Sequence, residues 1–173
     1  MLASHARPAS NLGQFGTTEM THVVNSGRAR RWLVPAWLRM ITFHDHARDV
    51  DWETLRQDLI SDRFHNGRTT AQLKASFENS QHVAMAFEGA RCIGNARALS
   101  DGVGNAYIVD VWTHSDHRRM GIGREMVAML TTALPGQHVY LQTDEALEFW
   151  MAMGFRHQPH GLSLVVGTYL HDS

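Results

Sequence analysis

Residues 117–125 read HRRMGIGRE, and an apolar run, MVAML, follows at once. Helix N-termini carry unsatisfied N–H groups and a partial positive charge, so a helix starting here would attract an anion. Gly121 and Gly123 remove the Cβ atoms that would hold a phosphate away from the backbone. Arg118, Arg119 and Arg124 add full charges around the same point, and a pyrophosphate is the natural guest. Glycines before a helix also serve merely to turn a corner, and the loop alone leaves both readings open. A Walker loop is excluded because no Gly-Lys-Ser/Thr follows, and a dinucleotide fingerprint fails because Met126 stands where a third small residue is needed.

A second chemical candidate is Asp110, the lone charge in the apolar stretch AYIVDVW. An unpartnered carboxylate in such a strand gains basicity, and beside a cleft it becomes a candidate general base. The competing reading is that it accepts hydrogen bonds from a neighbouring loop. Asp144, ahead of a later helix, reads equally as an N-cap or a participant. Twelve histidines raise the question of metal: His44 and His46 share a strand face, and His114 and His117 flank the loop. Without cysteine partners or a helical His-x-x-x-His spacing, no metal site is expected. His117 is expected to assist with phosphates or to lie in solvent.

The elements that must position these residues alternate from Met40 onwards. MITFHDH alternates apolar and polar and predicts a strand. Asp49 or Asp51 caps a helix with Trp52, Leu55 and Leu59 on its apolar face, and TTAQLKASFENS predicts a second, with Leu73 and Phe77 four apart. Three strands follow through Thr113, turned at Glu88-Gly89 and at SDGVGN. In the third, Tyr107, Val109 and Val111 are expected on one face, and Ile108 and Trp112 on the other. The glycine loop then leads a helix from about Gly123 to Leu134, with Met126, Val127, Leu130, Ala133 and Leu134 inward and Pro135-Gly136 as its stop. HVYLQ predicts a strand, DEALEFWMAMG a helix closed by Gly154, and GLSLVVGTYL a last strand. Strand, helix, strand around the loop implies a parallel pair joined by a right-handed crossover. The loop would leave the C-terminal end of the central strand, where open α/β sheets bind ligands.

A length of 173 residues suits one domain with a proper core. A formal net charge of −1 gives no electrostatic reason for a nucleic-acid or membrane partner. With Cys92 as the one cysteine, no intrachain disulfide can form, and a cytoplasmic location fits best. Residues 1–39 carry a net charge of +4 without periodicity, leaving −5 for residues 40–173. The first segment is expected to be a disordered basic extension, and the second the folded domain.

Arg118-x-x-Gly121-x-Gly123 resembles the Arg/Gln-x-x-Gly-x-Gly/Ala signature of the GNAT superfamily of acyl-CoA-dependent N-acetyltransferases. ALEFWMAMGF, residues 146–155, is similar to that family's Ala-x-x-Phe-Tyr-x-x-x-Gly-Phe segment, and the order of elements from Met40 also matches. The resemblance implies an α/β fold with a mixed sheet flanked by helices and splayed open between the strand ending at Thr113 and the one near His138. It implies acetyl-CoA as cosubstrate in that wedge. The pantetheine arm would lie along Val111, Trp112 and Thr113. The pyrophosphate would lie over Arg118, Arg119, Met120, Gly121, Ile122, Gly123 and Arg124. The acceptor would be a small-molecule amine or a protein amino group, and a homodimer is compatible. Trp150 occupies the position of the family's tyrosine, the proposed acid for the leaving thiolate. Indole has an N–H donor but no proton to release at ordinary pH, so Tyr140 or no side chain would serve. The substitution leaves open an alternative, a non-catalytic acyl-CoA-binding or sensing module.

Overall fold

The computed structural model describes residues 40–158, 161–166 and 170; the expected extension over 1–39 lies outside them. The chain runs β1 (Ile41–His44), α1 (Trp52–Ser61), α2 (Thr70–Glu78), β2 (His82–Glu88), β3 (Arg91–Ser100), β4 (Asn105–Thr113), α3 (Ile122–Thr132), β5 (His138–Tyr140) and α4 (Leu147–Ala152). A short 3₁₀ turn, Ser115–His117, lies between β4 and α3. One sheet holds the strands in the order β1-β2-β3-β4-β5. Its first four strands are antiparallel, and β4 and β5 are parallel, joined through α3. This is the mixed sheet expected from the sequence.

Local chemistry explains the helices. Asp51 caps α1 by accepting from the N–H groups of Glu53 and Thr54. Thr69 and Gln72 form a reciprocal capping box on α2. Leu55, Leu59, Leu73 and Phe77 bury one face of this pair against Met85, Phe87, Cys92 and Trp112. On the opposite face α3 buries Ile122, Met126, Val127 and Leu130 on a pavement of Ala84, Ala86, Ala96, Ala98 and Ala106. Those short side chains let the helix sit close. At Gly94 a Cβ would stand 3.1 Å from both Ile122 Cγ2 and Met126 Cε, so the first turn of α3 rests almost on the β3 backbone.

Four expectations need correction. Ala133 is exposed and just beyond α3. Asp144 does not cap α4, whose N-cap is Ala146. Ile108 and Trp112 do not share a face: Ile108 lies in the α3 layer and Trp112 in the α1/α2 layer. The cause is a bulge, since Arg97 pairs with Asp110 while Ala98 pairs with Ile108, leaving Val109 as an extra residue. That one insertion turns Asp110 towards α1 and α2. Finally, residues 161–166 form no strand, and Leu162, Leu164 and Val166 are 95%, 85% and 88% exposed. Alternation specifies a strand only where a partner edge receives it, and β5 has just three residues.

Candidate active site

β4 and β5 pair only at Asn105–Tyr107 with His138–Tyr140, while β4 runs on to Thr113. Among the described residues, six residues of β4, about 20 Å of strand, therefore have no strand neighbour on that side. The N–H of His114 donates to Ile93 O on β3. By alternation Trp112 also faces β3, and Val111 and Thr113 aim their backbone groups into the open side. Trp112 thus gives the wedge position instead of contact: its indole is buried and donates to Asp62 Oδ2 at 3.0 Å.

The glycine loop closes the wide end of this wedge. Gly121 is the N-cap of α3 at φ +87°, and no side chain caps the helix. The first intrahelical bond runs from Glu125 N to Gly121 O, so the N–H groups of Ile122, Gly123 and Arg124 have no helical acceptor. Arg119 sits at φ +63°, an uncommon conformation for a residue with a side chain. A Cβ on Gly123 would lie 3.6 Å from Thr113 Oγ1 and 3.7 Å from Phe149 Cζ, so β4, α3 and α4 converge there. Among the described residues, Arg119 and Arg124 make no ion pair; Arg118 does, with Asp62 at 3.2 Å, and its Nε donates to Thr113 O at 3.3 Å. Arg118 therefore braces the loop, while Arg119 and Arg124 stay available to an anion.

Asp62, which no sequence motif marks, organises this end of the sheet. At the C-cap of α1 it accepts from Trp112 Nε1, from the Ser115 N–H and from Arg118. Burial pushes its carboxyl upward, but the Ser115 and Trp112 hydrogen bonds and the Arg118 charge outweigh it, leaving it below the ordinary 3.8. A depressed folded pKa contributes stability that is present above the unfolded value and lost as pH falls through the folded one. Asp62→Asn is therefore expected to lower stability by a constant amount from neutral pH to about pH 5, with the gap from wild type closing below about pH 4. Denaturant titrations at pH 7, 4 and 3 check this; a gap that persists undiminished at pH 3 contradicts it.

His117 is buried, with Nε2 3.4 Å from Glu88 Oε2 and its ring edge-on to His114, so it does not lie in solvent. Asp110 lies in a buried network. Its Oδ2 accepts from Arg97 Nε at 2.6 Å and Arg68 Nη1 at 3.1 Å, with the three side chains 13%, 10% and 7% exposed. Arg68 also donates to Ser76 and Asn66, and Arg97 to Ser80, so the cluster ties α2 and its leading loop to the sheet. This matches the loop-anchoring reading of Asp110. A signal existed, since Arg97 in the middle of β3 and Asp110, the lone charge of β4, stand in strands flanking one hairpin turn. Trp150 is 7% exposed in the α3-side core, with Phe149 and Phe155 edge-on at 5.1 and 5.2 Å. Tyr140 stacks on His138 and lines a cavity of about 750 Å³ between β5 and α4. No residue of β4 or the glycine loop lines that cavity.

Residues 37–155 match the profile of the Acetyltransferase (GNAT) family. The chain belongs to that family. A Glycine max protein named "Probable acetyltransferase TAP2" is 29% identical over 129 residues, covering 66% of this chain. The chain spans about half, 51%, of that relative's length. A GNAT-family acetyltransferase from Streptococcus pneumoniae superposes with a TM-score of 0.62 at 21% identity, covering 73% of this chain and 98% of the other. An aminoglycoside acetyltransferase from an uncultured soil metagenomic sample, in complex with sisomicin, gives a TM-score of 0.56 at 17% identity over 73% and 97%. At these identities the solved structures establish the fold that the GNAT chain adopts.

Proposed function

We propose that this GNAT protein transfers an acetyl group from acetyl-CoA to a primary amine by direct attack in a ternary complex. The observation that carries the reading is an open β4 edge leading to uncapped helix N–H groups beside two arginines that make no ion pair among the described residues. Val111 and Thr113 would pair with the pantetheine amides, with Arg118 yielding or sharing the Thr113 carbonyl. Met120 and Ile122 would frame the pyrophosphate: Met120 is half exposed at the loop tip, and Ile122 anchors the helix beneath it.

The amine nitrogen attacks the thioester carbonyl carbon, the C–S bond breaks, the thiolate departs, and the nitrogen releases its extra proton to water to leave the amide. An alkylammonium near pKa 10.4 must lose a proton first. Asp110 is assigned to the arginine network, so that proton passes to water. Trp150 is assigned to packing, and the thiolate, with a free thiol pKa near 8.5, leaves without a side-chain acid. The metagenomic neighbour's sisomicin complex favours a cationic amine as acceptor, and so does the net −5 of residues 40–173. Nucleic acid and membrane have no role in this reading, and a homodimer is compatible with it. Among the described residues no helix is long and apolar enough to cross a membrane. A cytoplasmic setting also suits Cys92, a buried free thiol that burial pushes up to about 12.

The second reading, an acyl-CoA binder without turnover, draws on Trp150 at the tyrosine position. Thiol release from acetyl-CoA across a panel of amines separates the two: amine-dependent release supports the transferase, and binding without release supports the sensor. In either case Gly121→Val is expected to weaken CoA binding by at least about 2 kcal/mol, roughly 30-fold. A β-branched residue cannot hold φ +87°, so the N–H groups lose their aim. Calorimetry on the folded variant checks this, and unchanged affinity would falsify the pyrophosphate assignment.

A further inference from the structure

On the other side of the sheet, β1 ends in a pair of imidazoles that the acyl-transfer reading does not use. The ring of His44 is edge-on to that of His46, with centroids 5.1 Å apart, and is held against Phe87 in the same way at 5.3 Å. The chain bends after His44, and the turn before α1 brings Asp49 beside them. One donor atom from each of His44, His46 and Asp49 lies within 4.8 Å of the other two. We propose that these three residues bind a divalent transition-metal ion of the zinc type, clasping the end of β1 to the approach to α1.

The donor set favours that chemistry. Two imidazole nitrogens and a carboxylate oxygen suit borderline cations such as zinc, cobalt or nickel, and not calcium or magnesium, which prefer oxygen alone. Zinc bonds nitrogen and oxygen at about 2.1 Å, so two ligands on one tetrahedral ion stand about 3.4 Å apart. The donors, within 4.8 Å of one another, would draw together around an ion, and Asp49 is exposed. Among the described residues, His46 Nδ1 is buried without a hydrogen-bond partner, an arrangement that carries a desolvation penalty unless a ligand relieves it. His44 Nε2 lies 3.2 Å from Thr42 Oγ1. With hydrogen on Nε2, the ring donates to Thr42 and keeps Nδ1 as a lone pair, the outer hydrogen bond that ligating histidines usually have. Sequence spacing alone offered only the His44-x-His46 pair; the third donor arrives through the turn.

The test uses the full chain, freed of any affinity tag and stripped with chelator, titrated calorimetrically with Zn²⁺ and followed optically with Co²⁺. One saturable site is expected, with a visible Co²⁺ absorption band and a rise in melting temperature on adding Zn²⁺. Asp49→Asn, on the surface and harmless to folding, should weaken Zn²⁺ binding by about 10-fold or more, and His46→Gln by about 100-fold. His65→Gln, an exposed histidine elsewhere, should change nothing. Absence of saturable binding overturns the proposal, and so does binding that survives both site variants.

Discussion

Replacing Asp110 by Asn is expected to destabilise the protein by about 3–5 kcal/mol, the usual consequence of removing one partner from a buried ion pair. Two guanidinium groups, Arg68 and Arg97, share the one carboxylate oxygen, and all three side chains are at least 87% buried. The asparagine keeps the shape but leaves two buried positive charges without their counter-ion. Arg97 also lies over the Phe77 ring, 5.8 Å from its centroid, so the loss should loosen α2 against the sheet. Urea unfolding of wild type, Asp110→Asn and Arg97→Met measures this, with a double-mutant cycle giving the coupling. A catalytic base predicts the reverse pattern: stability retained, turnover down by roughly 10²-fold, and partial rescue at high pH. That pattern would return Asp110 to the chemistry.

Trp150→Ala should cost about 3–5 kcal/mol, the range for a deleted buried aromatic. The indole fills the space between α4 and the α3 layer and makes edge contacts with rings on both sides along the chain. Trp150→Phe keeps an aromatic ring there and should be close to neutral in both melting temperature and turnover. If the indole N–H steadied the departing sulfur, Phe would lower turnover about tenfold at unchanged stability, equivalent to about 1.4 kcal/mol. A collapse of turnover in Phe with the melting temperature held would contradict the packing role.

The elements around the wedge were legible because each carries a local signature. Asp51 and Thr69 cap their helices, Glu88-Gly89 turns its hairpin, and the apolar faces of α1, α2 and α3 keep helical period. The glycine loop was legible for the same reason, since Gly121 is the residue that tolerates its backbone angle. What escaped was set by register and long-range contact. The bulge at Val109 changes no residue type and leaves no mark in periodicity, yet it decides that Asp110 meets Arg68 and Arg97. Asp62 has no local signature, and only the folded chain brings Trp112, Ser115 and Arg118 to it. The segment 161–166 failed in the opposite sense: its alternation is real, but the short β5 edge takes up no further strand.

The central claim is that the β4 edge and the α3 N-terminus form one acyl-CoA site, with the pyrophosphate on the helix. Calorimetric titration of the wild-type chain with acetyl-CoA, and in parallel with S-acetyl-pantetheine, tests it most directly. Acetyl-CoA should bind one to one, and the analogue lacking the pyrophosphate should bind at least roughly 30-fold more weakly, because its charge-assisted hydrogen bonds to the loop are missing. Equal affinities for the two ligands, or no binding of acetyl-CoA, would contradict the claim.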